Sequence, residues 1–162
     1  MEETNELRHQ LVQLLTAQQA HMLFEDAVAD FPETHINQRV PKSPYSFWQL
    51  VEHLRLTQRD ILDYISADEY YWPTWPADYW PAPEQETDWA GWQQSVDQFL
   101  SDRQRLVALV TDPRVDLLAP LPNSGEREHN LLREVLIVAS HNAYHTGELG
   151  ILRQTGGLWP KD

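Results

Sequence analysis

Two histidines four residues apart, His141 and His145, stand in SHNAYHTGELG (140–150), a stretch that otherwise reads as ordinary helix. Residues i and i+4 lie on one helical face with Cβ atoms roughly 6 Å apart. Imidazoles so placed can reach one cation at nitrogen–metal distances of about 2.0–2.1 Å. They can equally form a hydrogen-bonded core pair, and spacing alone does not choose between the two. The zinc-protease pattern His-Glu-x-x-His is absent, because Asn142 stands where its Glu is required. The same stripe carries Glu134, Val138, Glu148, Leu149 and Leu152, a mixture expected where a helix face opens onto a site.

His53 favours the metal reading. It lies between Leu50 and Leu54, near the apolar face of an earlier helical stretch. A ring there needs a partner or a ligand, because a buried polar group without one is costly. Three histidines leave a coordination position open for water or substrate, the catalytic rather than the structural arrangement. Asp60, seven residues on, and Glu148 are candidates to orient a ligating imidazole through its second nitrogen; the alternative for each is a solvated, helix-supporting carboxylate. His21 is a candidate substrate contact or extra ligand, or a rim histidine. His9, His35 and His129 read as solvated or hydrogen-bonded.

These residues must be positioned by helices. Leu7, Leu11, Leu14, Leu15, Met22 and Val28 recur at three- and four-residue steps and predict one helix from about Thr4 to Val28. Ser46 with Gln49 fits a capping box that opens a second helix running to about Ile65. A third follows Thr87 as N-cap and ends before Pro113. The fourth runs from near Asn130 to Thr155, before Gly156 and Gly157. The prolines in DLLAPLPNSGEREHNLL argue for loop over strand. The expected fold is all-α: a single four-helix-bundle domain over residues 1–162 with long loops and at least one crossover connection.

Composition excludes several functions. The chain has no cysteine, so disulfide frameworks, cysteine nucleophiles and thiolate metal sites are ruled out. Twelve Lys and Arg against 25 Asp and Glu give a net charge of −13. Such a chain repels nucleic acid and anionic membrane, and favours cations. No apolar run is of membrane-spanning length, and MEETNELRHQ is unlike a signal peptide, so a cytoplasmic address is expected.

YSFWQLVEHLRLTQRDILDYI, followed far downstream by LREVLIVASHNAYHTGELGILRQTGG, resembles the DinB/YfiT-like superfamily, as do WPTWPADYWP and DWAGWQQSVDQFLSD between them. The resemblance runs from about Leu7 to Trp159. It implies an up-down-down-up four-helix bundle, often a homodimer. It also implies a divalent ion, zinc or nickel, held by three histidines at the positions of His53, His141 and His145. Three neutral imidazoles suit such metals better than magnesium or calcium. Some relatives resemble S-transferases or isomerases that use a low-molecular-weight thiol such as bacillithiol or mycothiol.

The expected function is therefore metal-dependent chemistry on a small-molecule substrate, with an activated water or exogenous thiol as nucleophile and Glu148 as a candidate base. A non-catalytic metal-binding module for stress response or ligand binding is the alternative. A metal-free interaction domain is a third reading. The segment Tyr70–Trp92 holds five of the seven tryptophans. It is either a wall over the site, with Trp75, Trp80 and the helical Tyr144 as pocket residues, or a wrap around the bundle end or a dimer interface.

Overall fold

In the computed structural model, which describes residues 2–160, the chain is all-helical with no strand among those residues. The elements are α1 (Glu2–Thr16), α2 (Phe24–Val28), α3 (Phe47–Ser66), α4 (Trp89–Thr111) and α5 (Leu131–Thr155), with short 3-10 turns at Glu33–His35 and Pro122–Arg127. The four long helices pack together: α3 contacts α4 and α5, and α1 contacts the same two. One isolated bridge, Pro120 to Asn130, is all that the proline-rich connection contributes to extended structure. No helix among the described residues is long and apolar enough to cross a membrane.

The helix starts follow local chemistry. Ser46 Oγ accepts from the Gln49 N–H (3.2 Å) while Gln49 Oε1 accepts from the Ser46 N–H (2.9 Å), which is the expected capping box. The Gln49 amide then reaches outward, donating to the carbonyls of Ala82, Pro83 and Gln85. The cap of α3 thus also fastens the aromatic loop. Asn130 caps α5 by accepting from Arg133 N–H at 3.0 Å. The cap of α4 is Asp88 rather than Thr87, with Asp88 Oδ1 accepting from Gly91 N–H at 2.8 Å. Thr87 is engaged instead by Asn37, through its carbonyl (2.7 Å) and its N–H (3.1 Å).

The single N-terminal helix expected from Thr4 to Val28 is instead two helices, with a break over residues 17–23. The reason is that its two apolar sets belong to different cores. Leu11 and Leu15 pack with Ile61, Leu106 and Val110. Phe24 and Ala27 pack with Phe31, Phe47 and Phe99, the Phe24 and Phe99 rings standing 4.1 Å apart. Gln18, Gln19 and His21 between them offer nothing to bury, so bending costs little and lets both sets reach a core. At the break Met22 crosses α5 at Gly150, where a Cβ would stand 2.6 Å from the Met22 sulfur. Only glycine permits that approach without displacement.

Arg153, on α5, is fully buried and holds the returning chain together. Its guanidinium donates to the carbonyls of Ala27 (3.1 Å), Asp30 (3.1 Å) and Leu158 (3.2 Å), and packs over the rings of Phe31 and Trp159. Arg153→Met keeps the volume but removes the donor from one buried and two partly buried carbonyls. It is expected to cost roughly 3 kcal/mol, read as a lower urea midpoint. Arg114→Ala, which removes an exposed pair with Asp112, is expected to leave the midpoint unchanged.

Candidate metal centre

The three histidines picked out in the sequence converge. His53 comes from the middle of α3, and His141 and His145 from successive turns of α5. One nitrogen from each lies within 4.8 Å of the others. His53 Nε2 and His141 Nε2 are 3.2 Å apart. Two nitrogens each ~2.1 Å from one ion stand about 3–3.4 Å apart, so this pair already has ligand spacing.

The second nitrogens fix which lone pairs point inward. His53 Nδ1 lies 2.7 Å from the Tyr79 carbonyl oxygen. A carbonyl only accepts, so Nδ1 carries the hydrogen and Nε2 of the neutral ring keeps its lone pair. His145 Nδ1 lies 2.8 Å from Glu148 Oε2 and donates to that carboxylate, leaving its Nε2 as a donor of electrons to a cation. Burial holds all three rings neutral. It is the largest cause pushing His53 below the ordinary imidazole value, His141 down to about 4 and His145 down to about 3. The neighbouring imidazoles push His141 and His145 the same way. Three neutral imidazoles, two of them with Nε2 lone pairs turned inward by partners on Nδ1, are a donor set that suits a zinc- or nickel-type ion, so these residues fit the metal.

The surroundings are built from the aromatic loop. Trp80 lies flat on His53, ring centroids 3.7 Å apart and planes within 6°. Tyr45 stacks on the other face of Trp80 at 4.8 Å, and its hydroxyl donates to Glu148 Oε1. Glu148 is therefore engaged through both oxygens, by His145 and by Tyr45, and burial raises its pKa. Asp60 touches no histidine. It accepts from the hydroxyls of Tyr70 (2.5 Å) and Tyr79 (2.8 Å), and so anchors the loop whose carbonyl holds His53.

The remaining candidates fall at graded distances. Tyr144 packs edge-on against His145 at 4.8 Å and is largely exposed at the mouth. A shallow, open apolar surface runs from His141 and Tyr144 along α5 past Ile137 and Leu136 to Arg133. Trp75 is exposed and packs on Tyr79 rather than on a histidine. His21 lies in the break between α1 and α2, outside the cluster, with Nδ1 donating to the Met22 carbonyl at 2.9 Å. Tyr45 and Tyr79 were not singled out in the sequence; neither carries a spacing signal, because their partners are 103 and 26 residues away.

The depressed imidazoles predict a pH dependence of the metal-free protein. The folded state binds fewer protons than the unfolded chain once pH falls below about 6.5. Stability is therefore present above that value and is lost progressively as pH falls toward about 4, where His141 titrates. Urea midpoints of metal-free protein between pH 7 and 5 should fall, and the His141→Asn/His145→Asn variant should show a flatter profile. Equal slopes would mean that the rings are not held neutral.

A comparison with protein-family models matches residues 16–149 to the DinB superfamily. No curated protein matches. No solved structure matches either. The match spans all three histidines and the aromatic loop that covers them, and most of the helical bundle: the chain belongs to the DinB superfamily.

Proposed function

We propose that this protein is a metal-dependent enzyme in which His53, His141 and His145 hold a divalent ion, zinc or nickel, at the end of the apolar α5 surface. The observation that carries this reading is the composition of the cluster. It offers three imidazole nitrogens and, among the described residues, no fourth protein ligand, and His141 borders that open surface. Such an ion supplies Lewis acidity and lowers the pKa of a water or exogenous thiol that binds it. The chain has no cysteine, so a thiol nucleophile would be a low-molecular-weight co-substrate. Thiol S-transferase-like and hydrolase-like reactions on a small molecule are the two chemistries this supports. A cytoplasmic setting, where such thiols stay reduced, suits the first.

Within that reading each neighbour has a task. The Tyr79 carbonyl and Glu148 fix the tautomers of His53 and His145. With both oxygens occupied, Glu148 serves as a positioning group in preference to a base. Trp80 forms one wall and excludes water from the His53 face, while Tyr144 borders the entrance. The pairs Trp48–Ser95 and Arg59–Asp102 advance together along α3 and α4, whereas Gln58–Asn142 and Tyr64–His129 run oppositely along α3 and α5. Arg8 reaches Val110 at the far end of α4. These registers support an up-down-down-up order, which brings α3 and α5 side by side so that their histidines meet.

This proposal includes a homodimer through the outer face of α5, which places the approach to His141 at the dimer interface. Leu136, Ser140, Tyr144, Gly147 and Ile151 form a stripe without a carboxylate in a chain of net charge −13. Leu136 is 47% exposed, Tyr144 70% and Ile151 68%. A two-fold axis at Ser140 would set Leu136 against the partner's Tyr144, a self-complementary match.

Two measurements test these proposals. Protein purified without a nickel column should carry about one divalent ion per chain by elemental analysis, and His53→Ala, His141→Ala and His145→Ala should each lower occupancy at least about ten-fold. Unchanged metal content in all three would overturn the site. Bound metal with no exchangeable position would make the protein a non-catalytic metal-binding module. In sedimentation the protein should run as a dimer and Leu136→Glu as a monomer with unaltered helicity; a monomeric parent protein would remove the dimer.

A further inference from the structure

A second cavity, of about 250 Å³, lies between the aromatic loop and the start of α5. Its walls include Tyr64, Tyr70 and Trp72, and its carboxylates are Asp60 and Glu134. The three rings meet edge-on: Tyr64 and Tyr70 at 5.1 Å and 69°, Tyr70 and Trp72 at 4.9 Å and 80°, Tyr64 and Trp72 at 5.9 Å and 63°. At these separations the three rings pack edge to face against one another as one wall of the cavity. A stack would instead bury the ring faces against one another.

One cation already lies against one of these rings. The Arg127 guanidinium carbon lies 4.8 Å from the Trp72 ring centroid. Arg127 makes no ion pair among the described residues, in a chain with 25 carboxylates to choose from. It stands on an exposed turn in which Ser124 alone is buried, between Gly125 (φ 54°) and the left-handed Glu128 (φ 50°). Few contacts therefore hold it over the ring. Trp72, by contrast, remains 56% exposed.

We infer that this aromatic wall is a binding site for a small organic cation, a quaternary ammonium or guanidinium group, and that Arg127 is its built-in occupant, displaced when ligand binds. Ring faces attract cations within about 6 Å, and quaternary ammonium groups are recognised by aromatic side chains. The acidic chain concentrates cations near its surface. The charged and titratable groups facing the cavity are Asp60, Glu134, Arg127 and His129, with the three tyrosines Tyr64, Tyr70 and Tyr79. Asp60 is held by two tyrosine hydroxyls, and Glu134 by Arg133 at 2.5 Å. An anionic ligand would meet both carboxylates, which a cation would not mind. The site is separate from the three histidines and does not rest on their binding metal.

The test uses tetramethylammonium chloride against metal-free protein, with sodium chloride at matched ionic strength as the blank, followed by calorimetry and by the Trp72 indole N–H resonance. Arg127→Ala vacates the seat and should bind tetramethylammonium at least about ten-fold tighter than the parent protein; Arg127→Gln should do the same, should the alanine variant fold poorly. Trp72→Ala added to Arg127→Ala should abolish saturable binding while leaving helicity intact. No saturable binding to either Arg127 variant, affinity equal to the parent's, or binding that survives Trp72→Ala would overturn the inference.

Discussion

Of the hydrogen bonds that tie α3 to the aromatic loop, the one from His53 Nδ1–H to the Tyr79 carbonyl is the one on which the site depends. On one side is a helix whose other buried residues are mostly apolar. On the other is a loop rich in proline and aromatics with no regular structure to satisfy its backbone. The bond gives the buried ring its partner, gives the loop carbonyl a donor, and settles the tautomer in one contact. From it the rest of the site can be followed outward. Trp80, next in the chain, lies on the ring it has just fixed; Tyr45 lies on Trp80; the Tyr45 hydroxyl holds Glu148, and Glu148 holds His145. Two helices that share no sequence proximity are thereby tied through one loop.

The bundle makes room for this by dividing its core. One apolar cluster runs from Phe24 through Phe47, Leu54 and Phe99 to Leu149; the other gathers Leu11, Ile61, Leu106 and Val138. On α3 the first ends at Leu54 and the second starts at Ile61. On α5 the second ends at Ala139 and the first resumes at Leu149. The interval on each helix is polar, and the intervals face each other. Gln58 bridges them, donating to the Phe99 carbonyl (2.7 Å) while accepting from Asn142 (2.9 Å). His141 and His145 thus sit in the interval between the two cores, facing His53 at the edge of the first, and the break in the N-terminal helix is the same division seen from α1.

What was legible in the sequence follows from range. Capping at Ser46, the helix start near Asn130 and the His141–His145 pair are decided within four residues, where spacing is a faithful guide. His53 could be associated with that pair because an imidazole on an apolar face demands an explanation. The break at residues 17–23 was hidden because leucine spacing continues across it; which core each residue enters is not a local property. Thr87 and Asp88 are both good caps, and only Asn37, fifty residues earlier, decides between them. Arg153 gave no signal at all, since a buried arginine held by three carbonyls looks like any surface arginine until the chain has returned past Leu158. The roles of Tyr45 and Tyr79 were illegible for the same reason.

The interval itself bears on function. Three imidazoles are taken largely out of water and held neutral, and between them they can share few hydrogen bonds: His53 Nε2 can only accept, so His141 can donate one hydrogen to it, and His145 Nε2 receives nothing from either. Aliphatic side chains at these positions would join the two clusters into one core and remove that cost. A merely structural solution to packing α3 against α5 would not converge three electron-pair donors on one point. Nor would it add a carbonyl and a carboxylate whose effect is to keep two of those pairs, on His53 and His145, facing inward. Three imidazole nitrogens converging in this way are a donor set compatible with one shared cation.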